Sequence, residues 1–238
     1  MLEDSAQLTS LPDRLENVRR RIITAAEKCD RNPNDIQLIA ITKTHPPEMV
    51  QDGIGLGLTD LGENRVQEAE DKIQVVGRDA ARWHLVGHLQ ANKARKAVSL
   101  FDYIHSLDSV DLASRLERIC VEDERQELPV LIQIKLGGEE TKTGIDPGEV
   151  PELLAAIKEC KRVRLVGLMT LPPFFENPDC ARPFFRTLRD LRDDLKDKGA
   201  FGDLPGELSM GMTHDFEIAI EEGATMVRVG TAIFGERK

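Results

Sequence analysis

An alternation constrains this chain more than any other feature. Short strand-like runs recur along it, and a helix or helical turn follows each one. The runs are Ile36–Ile41, Thr59–Leu61, Trp83–Val86, Phe101–His105, Val130–Leu136, Arg164–Met169, Glu207–Met210 and Met226–Val229. A near-continuous run such as Ile36-Gln37-Leu38-Ile39-Ala40-Ile41 suits a parallel strand buried on both faces. Strand and helix in strict alternation imply a parallel sheet with right-handed crossovers. Eight such units in roughly 205 residues predict an α/β fold, a single (β/α)8 TIM barrel slightly smaller than the usual ~250 residues. The rival is a doubly wound open sheet. It would carry a Gly-rich GxGxxG turn after its first strand, and Ile41-Thr42-Lys43-Thr44-His45 is not one.

An extra helix precedes the barrel. Leu11, Leu15, Val18, Ile22, Ala26 and Cys29 recur at spacings of three and four, Ser10 is available as N-cap, and Asn32-Pro33 breaks the pattern. Asp146-Pro147 and Asn177-Pro178 each supply a cap and a first-turn proline for later helices, Asp108 begins another, and Gly199 can close the second of the Pro-led pair. The expected organisation is therefore one domain over residues 1–238, with the helix at about 10–30 and the barrel at about 36–235.

Charge and cysteine usage narrow the class. With 32 Lys+Arg against 42 Asp+Glu the formal net charge is −10, which argues against a nucleic-acid partner. No apolar run approaches the ~20 residues a spanning helix needs, so no membrane role is expected. The opening MLEDSAQLTS lacks the basic and apolar regions of a signal peptide. Cys29, Cys120, Cys160 and Cys180 have no CxxC or CxxH spacing, so free thiols in a reducing compartment are expected. These readings together point to the cytoplasm.

Barrels place their chemistry at the carboxyl ends of the strands. The first strand ends in Lys43, whose amine would enter the barrel mouth, where desolvation favours the neutral amine needed for a Schiff base. A solvated lysine at the start of a loop is the plainer reading of the same position. Glu63 or Asn64, after the second strand, can cap the next helix. His84 and His88 lie across a strand and turn with no carboxylate or Cys cluster nearby, so no metal site is expected. The Gly- and Glu-rich stretch from Gly137 to Gly144 reads as a loop over the mouth, or simply as a surface loop. After the last two strands come Ser209-Met210-Gly211-Met212-Thr213 and Arg228-Val229-Gly230-Thr231, followed by a stretch long enough for a short helix. Hydroxyls, glycines and a helix start in these loops suit phosphate. An aldehyde-reactive lysine facing a phosphate cradle describes a phosphorylated carbonyl compound. Pyridoxal 5′-phosphate and the triose and pentose phosphates all qualify, and for the sugar phosphates an aldolase-like Schiff-base enzyme would be the matching activity.

Ala40-Ile41-Thr42-Lys43-Thr44, Leu61-Gly62-Glu63-Asn64-Arg65-Val66-Gln67-Glu68, the block from Trp83 to Lys93 containing Gly87-His88-Leu89-Gln90-Ala91-Asn92-Lys93, Gly167-Leu168-Met169-Thr170, Leu208–Thr213 and Val227–Gly235 resemble the pyridoxal phosphate homeostasis protein family, in family order and over nearly the whole chain. The resemblance implies a barrel like the amino-terminal domain of alanine racemase. It implies that Lys43 carries pyridoxal 5′-phosphate as an internal aldimine. Ser209, Gly230 and Thr231, with Met210 in the same block, would hold the phosphate, Arg228 would face the pyridine nitrogen, and Asn64 would lie near the cofactor. His88 and Lys142 match family blocks without a defined role. Thr213 and His214 stand where the family commonly has Ser and another polar residue. No established reaction comes with the family, so no catalytic residue is expected. Its members are described as buffering the cofactor, with PLP-dependent apo-enzymes as candidate acceptors. The alternative is a PLP-dependent amino-acid racemase. That chemistry takes a second base from a tyrosine of another domain, and the chain's only tyrosine, Tyr103, falls in a barrel strand. A chain without that second domain is expected to be a monomer.

Overall fold

The computed structural model describes residues 10–137 and 143–236. Eight parallel strands close a barrel in sequence order: β1 (Gln37–Ile41), β2 (Asp60–Glu63), β3 (Arg82–Leu85), β4 (Tyr103–Leu107), β5 (Leu128–Gln133), β6 (Val163–Met169), β7 (Glu207–Met212) and β8 (Met226–Val229). Closure comes from β8 pairing back on β1, with Gln37 opposite Met226 and Ala40 opposite Val229. Every expected strand is present, its ends moved by three residues at most.

Helix α1 (Leu11–Glu27) precedes the barrel; Ser10 caps it by accepting from the Asp13 N–H. The strands are followed in turn by α2 (Pro47–Gly55), α3 (Val66–Val76), α4 (Ala94–Leu100), α5 (Val110–Glu122), α6 (Val150–Lys158), α7 (Arg182–Asp197), α8 (Phe216–Glu221) and α9 (Thr231–Phe234). Arg14 donates to the Ile233 carbonyl (2.7 Å), Arg21 pairs with Glu217 (2.6 Å) and Arg31 donates to the Ile220 carbonyl (2.7 Å), so α1 and the turn after it are fastened to the last two units. Two sequence expectations are corrected. Ser109, not Asp108, caps α5 by accepting from Leu112 (3.2 Å), while Asp108 pairs with His88. Neither Glu63 nor Asn64 caps α3, whose first position follows Arg65 with no side-chain cap.

Strand alternation divides the apolar residues into two clusters. Ile39, Ile41, Val86, Leu131, Val166, Met169 and Met226 fill the barrel interior. A larger set, with Ala40, Leu61, Leu85, Ile104, Leu208, Met210 and Val227 from the strands, packs under the helices. Polar side chains are also buried in the interior, and they connect to the site. Among the described residues no helix is long and apolar enough to cross a membrane.

Candidate functional site

A cavity of about 730 Å³ opens at the carboxyl ends of the strands. Lys43 from the end of β1, Asn64 after β2, Arg228 on β8, and Gly230 and Thr231 after it all line it. Five of the seven residues singled out from sequence are thus brought together. The other two lie elsewhere, for a geometric reason. Ser209 points inward along β7 but sits below the cavity, fully buried, with its hydroxyl bonded to His105 Nδ1 (2.9 Å) and Arg228 Nη1 (2.7 Å). Met210, the next residue, faces the opposite side of the same strand and belongs to the layer under the helices. Thr213 lines the cavity in their stead. Gly211, at φ 87°, lets the chain turn there. A Cβ on it would stand 2.5 Å from Ala219 Cβ and 2.9 Å from Phe216 Cα. The turn is fixed by Asp215, which accepts from the Met212 N–H (2.7 Å), and the Gly230 N–H reaches Thr213 Oγ1 at 3.4 Å.

The backbone around Lys43 is clamped. Lys72 Nζ, buried on α3, donates to the Thr42 carbonyl, to Glu63 Oε1 (2.6 Å) and to Glu68 Oε1 (2.9 Å). Thr42 Oγ1 donates to the same Glu63 oxygen (2.5 Å), and Glu68 accepts the Thr44 N–H. Thr44 is held at φ 67°, a conformation a β-branched residue rarely adopts. Both peptide groups flanking Lys43 are therefore fixed by one buried ion cluster between β1, β2 and α3. Glu63 has no exposed surface and its Oε2 has no hydrogen-bond partner among the described residues, and burial pushes its carboxyl up against the opposing pull of Lys72.

On the far wall, Arg228 Nη1 donates to Ser209 and Nη2 to the Thr170 carbonyl (2.9 Å). Burial pushes the guanidinium down, to about 10, so it remains a cation at neutral pH. Leu171, Phe174 and His214 complete the rim. Sequence reading did not single them out as site residues, although the Leu171-Pro172-Pro173-Phe174 run follows β6 and so obeys the same carboxyl-end rule. Phe174 is 78% exposed. Among the described residues, none that lines this cavity is acidic. Asn64 is shared with a neighbouring cavity of about 490 Å³ that carries Arg65, His88 and Lys93. Lys142 and the centre of the Gly137–Gly144 stretch lie outside the described residues. Among the described residues no group of three or more His, Cys, Asp or Glu is placed to hold a metal ion.

The family described as alanine racemase, N-terminal domain, matches residues 14–238. A pyridoxal phosphate homeostasis protein of Aquifex aeolicus is 44% identical over 226 residues, 95% of this chain and 98% of that one. The protein of the same name from Escherichia coli K12 is 40% identical over 239 residues, 97% of this chain and 98% of its own. Among solved structures, PipY of Synechococcus elongatus without PLP superposes with TM-score 0.83 at 37% identity, covering 95% of this chain and 100% of PipY. The form with PLP bound gives 0.80 at the same identity and coverage. A D-threonine aldolase from Filomicrobium marinum shares the fold at 16% identity with TM-score 0.75, over 95% of this chain and 60% of that one.

Proposed function

The chain belongs to the pyridoxal phosphate homeostasis proteins within the alanine racemase N-terminal-domain family, and from that premise we propose that it binds pyridoxal 5′-phosphate at the carboxyl end of its barrel and keeps it available to other proteins. The carrying observation is the donor set of the cavity. A primary amine, a buried guanidinium and two threonine hydroxyls face one space whose described lining includes no carboxylate, in a chain whose net charge is −10. A phosphorylated aldehyde matches that set in both charge and reactivity, and PipY, 37% identical, has a structure with PLP bound. When bound, pyridoxal 5′-phosphate supplies an aldehyde that condenses reversibly with a primary amine, and Lys43 is the lining residue that carries one.

We assign the phosphate to Gly230, Thr231 and Thr213, the last taking the part first expected of Ser209. Asn64 borders the ring, and Ser209 acts indirectly through Arg228. Arg228 is assigned to the pyridine nitrogen. A guanidinium, which does not give up its proton, keeps a facing ring nitrogen unprotonated and so weakens the ring as an electron sink. That favours holding the cofactor over using it. The position of the only tyrosine favours the same reading over an amino-acid racemase. Tyr103 opens β4 at the end opposite the cavity and stacks on His84, ring centroids 4.7 Å apart. No catalytic residue is proposed. A monomer in the cytoplasm, delivering to PLP-dependent apo-enzymes, completes the proposal.

The test is spectroscopic. Protein mixed with pyridoxal 5′-phosphate gains a visible absorption band that borohydride removes, and folded Lys43→Ala lacks it. Loaded protein reactivates a cofactor-free acceptor enzyme faster than free cofactor dissociates. A Lys43→Ala protein with the wild-type band refutes the assignment of Lys43. Enzyme-like exchange of the α-deuterium of amino acids, with scrambled stereochemistry, refutes the holding role.

A further inference from the structure

A chain of four hydrogen bonds crosses the barrel interior beneath the cavity. Arg228 Nη1 meets Ser209 Oγ at 2.7 Å, Ser209 Oγ meets His105 Nδ1 at 2.9 Å, His105 Nε2 meets His84 Nδ1 at 3.0 Å, and His84 Nε2 meets Asp60 Oδ1 at 3.0 Å. The residues come from β8, β7, β4, β3 and β2, and all five are buried.

The two ends fix the direction of every proton. Arg228 can only donate and an ionised Asp60 can only accept. Burial disfavours ionised Asp60, but hydrogen bonds from His84, Arg82 and Thr59 outweigh it and hold the carboxyl well below its usual range. Burial also keeps both imidazoles neutral, so each carries one proton. His84 must then hold its proton on Nε2, facing Asp60, which leaves Nδ1 to accept. His105 must hold its proton on Nε2, facing His84, which leaves its Nδ1 to accept the Ser209 hydroxyl. The oxygen of Ser209 is thereby turned toward Arg228 as an acceptor. Every other arrangement sets two donors or two acceptors against each other in a dry interior, where an unmade hydrogen bond is costly.

We infer that Asp60, His84 and His105 are positioning residues that act through Ser209 to lock the Arg228 guanidinium at the floor of the cofactor cavity. Asp60 is itself held by Gln37 (2.6 Å), Thr59 (2.8 Å) and Arg82 (2.8 Å), at the end of the barrel remote from the cavity. The state of that remote end thus reaches the residue assigned to the pyridine ring. The inference rests on the proposed function only for the identity of the ligand.

The test pairs apo and loaded protein. Imidazole 15N–1H correlations of the apo wild type should report two neutral rings, each protonated on Nε2, and resolved Nη resonances for Arg228. His105→Leu should average those Nη resonances, shift the absorption band of bound pyridoxal 5′-phosphate and speed its release by up to roughly tenfold, the upper end expected for one lost hydrogen bond between neutral groups. His105→Asn, whose amide oxygen can stand in for Nδ1, should largely reverse all three. An Nδ1–H tautomer or an imidazolium at either ring overturns the inference. So does a folded His105→Leu with unchanged Arg228 resonances, or a His105→Asn no better than the leucine. Wild-type protein that takes up no cofactor refutes the proposed function instead, and the apo resonances still decide this point.

Discussion

At the scale of single residues, the site depends on groups that never touch its cavity. The buried Lys72 braces the peptides on either side of Lys43 and neutralises Glu63. Removing one partner of such a pair strands the other in a dry place, which costs roughly 3–5 kcal/mol, whereas removing both is far milder. Lys72→Met should accordingly lower the urea midpoint sharply, and adding Glu63→Gln should recover most of the loss; a single variant within about 1 kcal/mol of wild type would show that the pair is incidental. The place of Lys43 at the cavity is one of the two readings that its position at the end of an apolar strand leaves open. The roles of Lys72 and Glu63 were not legible in the sequence. Their spacing of nine in sequence conforms to no helical or strand period, since one ends a strand and the other lies on the following helix. Only the fold brings them together.

At the scale of elements, the regular alternation of strand-like runs with helical stretches carried the barrel, even where the inward face holds His84, Ser209 or Arg228 rather than an apolar residue. Strand geometry also explains why the Met210 side chain lies outside the cavity. A block that resembles a phosphate loop begins inside β7, and within a strand neighbouring side chains face opposite ways, so those of Ser209 and Met210 lie on opposite faces of the sheet. The strand ended two residues later than the sequence suggested, which carried the cavity contact on to Thr213. The loops after β2 and β3 meet where Gly87 passes Asn64. A Cβ on Gly87 would lie 2.2 Å from the Asn64 carbonyl oxygen and 2.8 Å from its Cα. Backbone, not a flexible side chain, must give way. Gly87→Ala should therefore destabilise the fold by about 1–3 kcal/mol and weaken cofactor binding through displaced Asn64, measurable by urea unfolding and absorbance titration. Unchanged stability and affinity would mean the two loops move freely past each other.

At the scale of the whole molecule, the polar column inside the barrel ties stability to pH. His84, His105 and Asp60 all have folded-state pKa values below their ordinary ones, the histidines because burial penalises the charge and Asp60 because its hydrogen bonds outweigh burial. As pH falls, the unfolded chain binds protons that the native state refuses. The stability these groups contribute is complete above the ordinary imidazole range near 6.5 and is lost below it, with Asp60 adding its share below about 3.8. Each neutral imidazole contributes a slope of about 1.4 kcal/mol per pH unit there. Glu63, raised by burial, opposes the trend in the carboxylate range, so the informative quantity is a difference. Between pH 6 and 5, His105→Asn should lose stability more gently than wild type by about one proton's slope, and parallel curves would contradict the neutral, buried His105. Above all of this stands the cavity, where a lysine amine and a guanidinium face one space with no carboxylate among the described lining residues. Peptide mapping by mass spectrometry, after loading with pyridoxal 5′-phosphate and borohydride reduction, tests it most directly. The reduced cofactor should be found on the peptide containing Lys43, at near one per chain. A label spread over surface lysines, or concentrated on any lysine outside the cavity, would contradict the site assigned to this protein.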